Sequence, residues 1–147
     1  MTPVERLLAE QACQRVLVQA ARCVDTRDAE GFASLFAPEG VLQRPGGEPI
    51  VGRAAIAAAY KGRAPGRMTR HLLTNVLVDV TSPTSATALA SVLLWSADEA
   101  SASTPQGRPA HARQLLGTFE DRFVCMEGRW LIEERAARFD MYIDGAG

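Results

Sequence analysis

The sequence is short of most features that would point directly to a chemistry. It holds two histidines and three cysteines in 147 residues, and arginine supplies all but one of its 16 basic residues. No apolar run approaches the ~20 residues of a membrane-spanning helix. The first ten residues carry Glu5, Arg6 and Glu10, unlike the basic start and unbroken apolar stretch of a secretion signal, so a cytoplasmic location is expected. Cys13 and Cys23 fall on one helical stretch, about 15 Å apart by helical rise and too far for a disulfide. Cys125 stands alone, and all three are expected as core thiols. There is no G-x-S-x-G, no phosphate loop, no Ser-His-Asp order and no metal-spaced His/Asp/Glu cluster, so no metal site is expected. The formal net charge of −1 gives no positive field for nucleic acid or an anionic membrane, and neither is expected as a partner.

What is present is a globular composition, 47% hydrophobic and 22% charged, in a chain the length of one domain. A single domain over residues 1–147 is expected, burying roughly 70% of its unfolded surface. From Val4 to Val24, Leu8, Ala12, Val16, Ala20 and Cys23 recur at helical spacing, joined by Ala9, Cys13, Leu17 and Val24. A short helix is predicted over Ala29–Phe36, stopped by Pro38-Glu39-Gly40, then a small hairpin around Pro45-Gly46-Gly47. Gly52–Gly62 reads as a third helix with Ala55, Ile56, Ala59 and Tyr60 inward. The remainder reads as strands, Met68–Thr81, Ser85–Ser96, Ala110–Met126 and Arg129–Ile143, the last two joined at Glu127-Gly128. Residues 98–109, rich in Ser, Ala, Gly and Pro, are expected to form a mobile loop. Helices followed by adjacent strands imply α+β, with a curved, mostly antiparallel sheet wrapped around the N-terminal helices. Such a cone has a natural pocket at its mouth.

The candidate residues are few. Alternation along Met68–Thr81 puts His71, Leu73, Asn75 and Leu77 on one face and Leu72, Thr74, Val76 and Val78 on the other. His71 on a mixed face reads either as a core histidine bonded to backbone or as a placed polar group in a cavity. Asp25, at the end of the first helix, reads as a turn or capping residue, or as a site carboxylate. Arg135, beside Glu133 and Glu134, reads as a surface ion pair or a site cation. His111, near Arg108 and Arg113, reads as a surface residue. Phe32, Tyr60, Trp95 and Phe119 are core or pocket aromatics. The face carrying Leu72, Val76 and Val78 would leave an apolar patch in a monomer, so a homodimer, with a trimer possible, is expected.

Several stretches together resemble the SnoaL-like branch of the nuclear transport factor 2-like superfamily. They are Val24-Asp25-Thr26-Arg27-Asp28, Leu35-Phe36-Ala37-Pro38-Glu39-Gly40, Gly52-Arg53-Ala54-Ala55-Ile56, Arg70-His71-Leu72-Leu73-Thr74-Asn75, Gly117-Thr118-Phe119-Glu120-Asp121-Arg122-Phe123 and Gly128-Arg129-Trp130, with Arg135 five residues on. The resemblance implies a cone-shaped α+β fold. Its members include scytalone dehydratase, hexachlorocyclohexane dehydrochlorinase, polyketide cyclases, ketosteroid isomerase and small subunits of ring-hydroxylating dioxygenases. In the first two an Asp–His pair works as base, and Asp25 and His71 fall on those positions, with Arg135 where the dehydrochlorinase has a site arginine. This chain departs from the dehydrochlorinase at Ala20, where that enzyme has lysine. It departs from scytalone dehydratase at Val24, beside the aspartate, and Phe119 stands where many relatives have tyrosine. The implied activity is that of a cofactor-independent lyase, isomerase or cyclase acting on a small hydrophobic, cyclic or aromatic substrate. Asp25, His71 and Arg135 would then be catalytic, and Phe32, Tyr60, Leu73, Asn75, Trp95 and Phe119 would bind substrate. The other outcome the resemblance allows is a non-catalytic hydrophobic-ligand-binding or assembly subunit of the same fold.

Overall fold

A computed structural model describes residues 1–145. Helix α1 (Pro3–Asp25) starts at a reciprocal capping box. The Glu5 backbone N–H donates to Thr2 Oγ1 at 3.1 Å, and the Thr2 N–H donates to Glu5 Oε2 at 2.6 Å. Ala9, Cys13, Val16, Leu17, Ala20 and Ala21 are buried, whereas Leu8 is exposed, so the packed stripe is rotated from the one the spacing predicts. The helix ends in a Schellman motif without glycine. The Asp28 N–H donates to Cys23 O at 2.8 Å and the Arg27 N–H to Val24 O at 3.2 Å, with Arg27 left-handed at φ 59°. Asp28 then caps α2 (Ala29–Ser34) through the Gly31 N–H.

Helix α2 stops two residues before the predicted end. Phe36 instead opens β1 (Phe36–Gln43), so Pro38-Glu39-Gly40 lies within a strand rather than after a helix. The short β2 (Ile50–Val51) pairs back onto β1 across the predicted turn. In α3 (Arg53–Lys61) the buried residues are Ile56 and Ala57, while Ala55 is exposed. Then follow β3 (Arg67–Ser82), β4 (Ser85–Asp98), β5 (Gln114–Met126) and β6 (Arg129–Ile143). The fifth strand begins four residues later than the alternation suggests. Between β4 and β5 the loop carries a turn closed by Thr104 and Gly107, and His111 N–H donates to Ser96 O at 2.7 Å.

The six strands form one sheet in the order β2-β1-β6-β5-β4-β3. All pairings are antiparallel except β1 with β6, which is parallel. The sheet packs on α1, around a core in which Leu17, Phe32, Phe36, Leu42, Ile56, Phe123 and Ile132 are fully buried. The fold is thus α+β, as expected.

Two bulges decide which side chains meet the helices. On β3, Thr74 pairs with Ser91 but Leu77 pairs with Leu89, so two residues of β3 oppose one of β4. Asn75, left-handed at φ 50°, is the first of them. The extra residue reverses the alternation, so His71 and Leu73 face inward before it and Val76, Val78 and Val80 after it. Asn75 and Leu77 are therefore exposed, contrary to the unbroken period of two. The outer face carries Leu72, Leu77, Leu89, Trp95 and Met141 instead of Val76 and Val78. The second bulge lies on β6: Phe123 pairs with Ile132 while Arg122 pairs with Glu134, leaving Glu133 as the extra residue.

Candidate active site

The last turn of α1 is tied to the start of β3. The Arg27 guanidinium donates to Ala64 O at 3.0 Å and to Arg67 O at 2.9 Å. This fixes where the final helical residue, Asp25, meets the strand. Its carboxylate accepts three hydrogen bonds from β3. The Thr69 hydroxyl donates to Oδ1 at 3.0 Å, the His71 backbone N–H donates to Oδ2 at 2.9 Å, and His71 Nδ1 lies 2.6 Å from Oδ1. The side chains are only 9% (Asp25) and 16% (His71) exposed. Burial pushes the Asp25 carboxyl up. The hydrogen bonds from the His71 ring and backbone, the His71 charge and the Thr69 hydroxyl outweigh it and hold the carboxyl below its usual range. Asp25 is thus an ionised acceptor that fixes the ring. In the neutral tautomer that gives Nδ1–H to the carboxylate, Nε2 is the free acceptor, on the side of the ring away from Asp25.

The His71 ring borders a cavity of about 120 Å³ between α1 and the sheet. Phe32, Tyr60 and Phe119 border it too, and Phe32 and Tyr60 touch with ring centroids 4.5 Å apart. Gly117 opens one wall. A Cβ there would stand 2.4 Å from Arg138 O, so the β5 and β6 backbones approach more closely than any side chain allows.

Three predicted pocket residues lie elsewhere. Leu73 faces inward but packs on the core beside α1 and does not border this cavity. Asn75 is turned out by its bulge. Trp95 pairs with Arg70, one position from the inward Leu94, and so points to the outer face. His111 is half-buried outside the cavity, its Nδ1 2.9 Å from Ser96 Oγ and its Nε2 3.2 Å from Asp98.

Arg135 is not a surface pair with its neighbouring glutamates. It donates from Nε to Asp121 Oδ1 at 2.7 Å and from Nη2 to Oδ2 at 3.0 Å, with 4% and 1% of the two side chains exposed. Its guanidinium carbon lies 4.2 Å from the Phe119 ring centroid, and the residue borders the cavity. The β6 bulge makes this pair. In unbroken register from the Met126–Arg129 closing pair, Asp121 would face Glu134. The extra Glu133 shifts β6 by one, so Asp121 meets Arg135 and Arg122 meets Glu134.

Sequence reasoning therefore misses Asp121, Thr69 and two further cavity arginines, Arg44 and Arg138. Asp121 had a signal, since it alternates with Phe119 and Phe123 on one strand face. Arg44 follows Leu42 by two residues, just past the end of β1, hidden by the turn that begins there.

Cys13 is buried and its thiol is pushed up to about 12 by burial and by nearby Cys125, which makes it a core thiol. Among the described residues no group of three or more His, Cys, Asp or Glu side chains is arranged to hold a metal ion. Among the described residues no helix is long and apolar enough to cross a membrane.

The fold has close counterparts among solved structures. A structure provisionally named a scytalone dehydratase, from Novosphingobium aromaticivorans, superposes with a TM-score of 0.81 at 22% identity, covering 99% of this chain and 93% of that one. A hexachlorocyclohexane dehydrochlorinase, LinA type 2, gives a TM-score of 0.82 at 16% identity over 99% and 95%. An aspartate-to-asparagine variant of Rv3472, a protein of unknown function from Mycobacterium tuberculosis, gives 0.76 at 26% identity over 95% and 77%. No curated protein sequence matches the chain. The sequence profile of the SnoaL-like domain matches residues 5–136, and the chain belongs to the SnoaL-like family.

Proposed function

We propose that the protein is a cofactor-independent enzyme of the lyase, isomerase or cyclase type, with His71 as its general base. The observation that carries this reading is the 2.6 Å contact between Asp25 and His71 Nδ1 at the wall of an otherwise largely apolar cavity. Asp25 fixes the tautomer and stabilises the imidazolium that forms when Nε2 takes a proton from substrate carbon or water. Arg135, held rigid by Asp121, places positive charge beside Phe119, where an oxyanion or leaving group would develop. A cavity near 120 Å³ is close to the roughly 150 Å³ apolar cavity that holds benzene, so it limits the enclosed part of a substrate to one ring at most. The substrate is accordingly a small cyclic or aromatic molecule with an acidic C–H or a leaving group.

The test is a turnover screen of enolisable cyclic and aromatic compounds with wild type and His71→Ala. Loss of about 10²–10⁴ in rate with the fold retained supports the base role. Equal turnover in both proteins sinks it and leaves a binding module. We further propose that the outer sheet face, where Leu72 is 50%, Leu77 60% and Met141 61% exposed, is covered by a second copy in a homodimer.

A further inference from the structure

The cavity carries an imbalance of charge that proton transfer by His71 does not use. Arg44, Arg135 and Arg138 border it, and no described Asp or Glu does, because Asp25 stands behind His71 and Asp121 behind Arg135. Two of these cations already have carboxylate partners. Arg135 is held by Asp121, and Arg138 is paired with Glu120 at 3.0 Å and Asp140 at 3.1 Å. Arg44 has no carboxylate partner among the described residues. It stands just past the end of β1, two residues beyond Leu42. Leu42 pairs with Arg135, so Arg44 lies level with Ala137, one step nearer the exposed Phe139 at the mouth.

Arg44 is exposed to solvent, and no described side chain carries a compensating charge beside it. The Arg44 guanidinium carbon is 5.7 Å from the Tyr60 ring centroid and that of Arg63 is 5.4 Å from the same ring. The ring is attracted to both cations but neutralises neither. Burial lowers the Arg63 pKa, Tyr60 pushes it back up, and the like charges of Arg67, Arg27 and Arg44 add to the lowering. An anion at this mouth would relieve the repulsion and gain a charge-assisted hydrogen bond.

We propose that the ligand of this cavity is an anion, a small cyclic or aromatic carboxylic acid whose carboxylate is held at the mouth by Arg44 while its ring fills the apolar space between Phe32 and Phe119. The inference rests on the reading of the cavity as a one-ring substrate site and adds the chemical class of substrate. Arg44 is a specificity-determining residue. It selects the charged substituent, and His71 acts on the ring or its neighbouring carbon.

Benzoate and benzamide are nearly isosteric and differ in charge, and their titration into the protein at low salt by calorimetry reads the subsite directly. Wild type should bind benzoate about tenfold more tightly than benzamide, the worth of one hydrogen bond to a charged group. Arg44→Gln should bring the two affinities together, and Arg44→Lys should keep part of the difference. Equal binding of the two by wild type, or a preference unchanged in Arg44→Gln, overturns the anion subsite. It leaves the general-base reading standing, because that is judged from turnover in His71→Ala. Binding of neither compound overturns the subsite and the one-ring cavity together.

Discussion

Replacing Asp121 by alanine strands the Arg135 guanidinium in a site where only 4% of its side chain reaches solvent. Two hydrogen bonds, at 2.7 and 3.0 Å, disappear with the carboxylate. Breaking a buried pair by removing one partner costs about 3–5 kcal/mol, mostly because the surviving charge is left uncompensated. That is a fifth or more of the roughly 5–15 kcal/mol that holds a domain folded. At a urea slope of about 2 kcal/mol/M, the unfolding midpoint should fall by about 2 M. The pair Arg122–Glu134, on the same two strands but 61% and 41% exposed, is the internal control. Arg122→Ala should cost under about 1 kcal/mol. The double variant Asp121→Leu/Arg135→Met replaces both charges with apolar groups and should regain most of the loss. A midpoint shift no larger for Asp121→Ala than for Arg122→Ala would refute the reasoning, as would a double variant less stable than either single one.

Asp25 ties stability to pH. Its carboxyl lies below its usual range in the folded protein, so its contribution is fully present above the unfolded value of about 3.9 and is lost as pH falls through the folded value. The stability gap between wild type and Asp25→Asn should narrow as pH falls below about pH 4. Urea unfolding across that range checks it, and a gap that widens in acid contradicts the assignment. The dimer proposal predicts a sedimenting mass about twice the 15.8 kDa of one chain at micromolar concentration. Wild type sedimenting at the single-chain mass overturns it.

The parts of the molecule legible in the sequence are those governed by local period and turn chemistry. The long first helix, the turn at Pro45-Gly46-Gly47 and the hairpin at Glu127-Gly128 belong to this class, because each signal lies within a few residues of the structure it specifies. The Asp25 and His71 positions came through resemblance, since helix periodicity places Asp25 on the polar side of α1. What turns it into the site is the Arg27 clamp, a tertiary contact no local pattern shows. The misplacements of Asn75 and Trp95 have a different origin. Alternation is a parity rule, and one bulge residue inverts it for the rest of the strand. Asn75 was assigned by an unbroken period, and its left-handed backbone is what breaks that period. The Asp121–Arg135 pair was missed for the same reason, since a one-residue slip decides whether the aspartate meets a glutamate or an arginine. Trp95 has another origin: residue type alone suggests a pocket aromatic, and its position opposite Arg70 turns it to the outer face.

The parallel pairing of β1 with β6 has a consequence for how the protein comes into being. Leu42 finds its partner Arg135 about 90 positions later in the chain. During synthesis β1 has no lateral neighbour except the two residues of β2 until β6 has emerged. The walls supplied by β5 and β6 are made after all the others, so the cavity cannot close around a ligand before β6 is out. Pairings this distant in sequence are slow to form, on the scale of milliseconds to seconds. In that interval β1 presents an open edge to any other strand within reach. The Pro38 within β1, which has no N–H to donate, is a built-in obstacle to such mispairing during biogenesis.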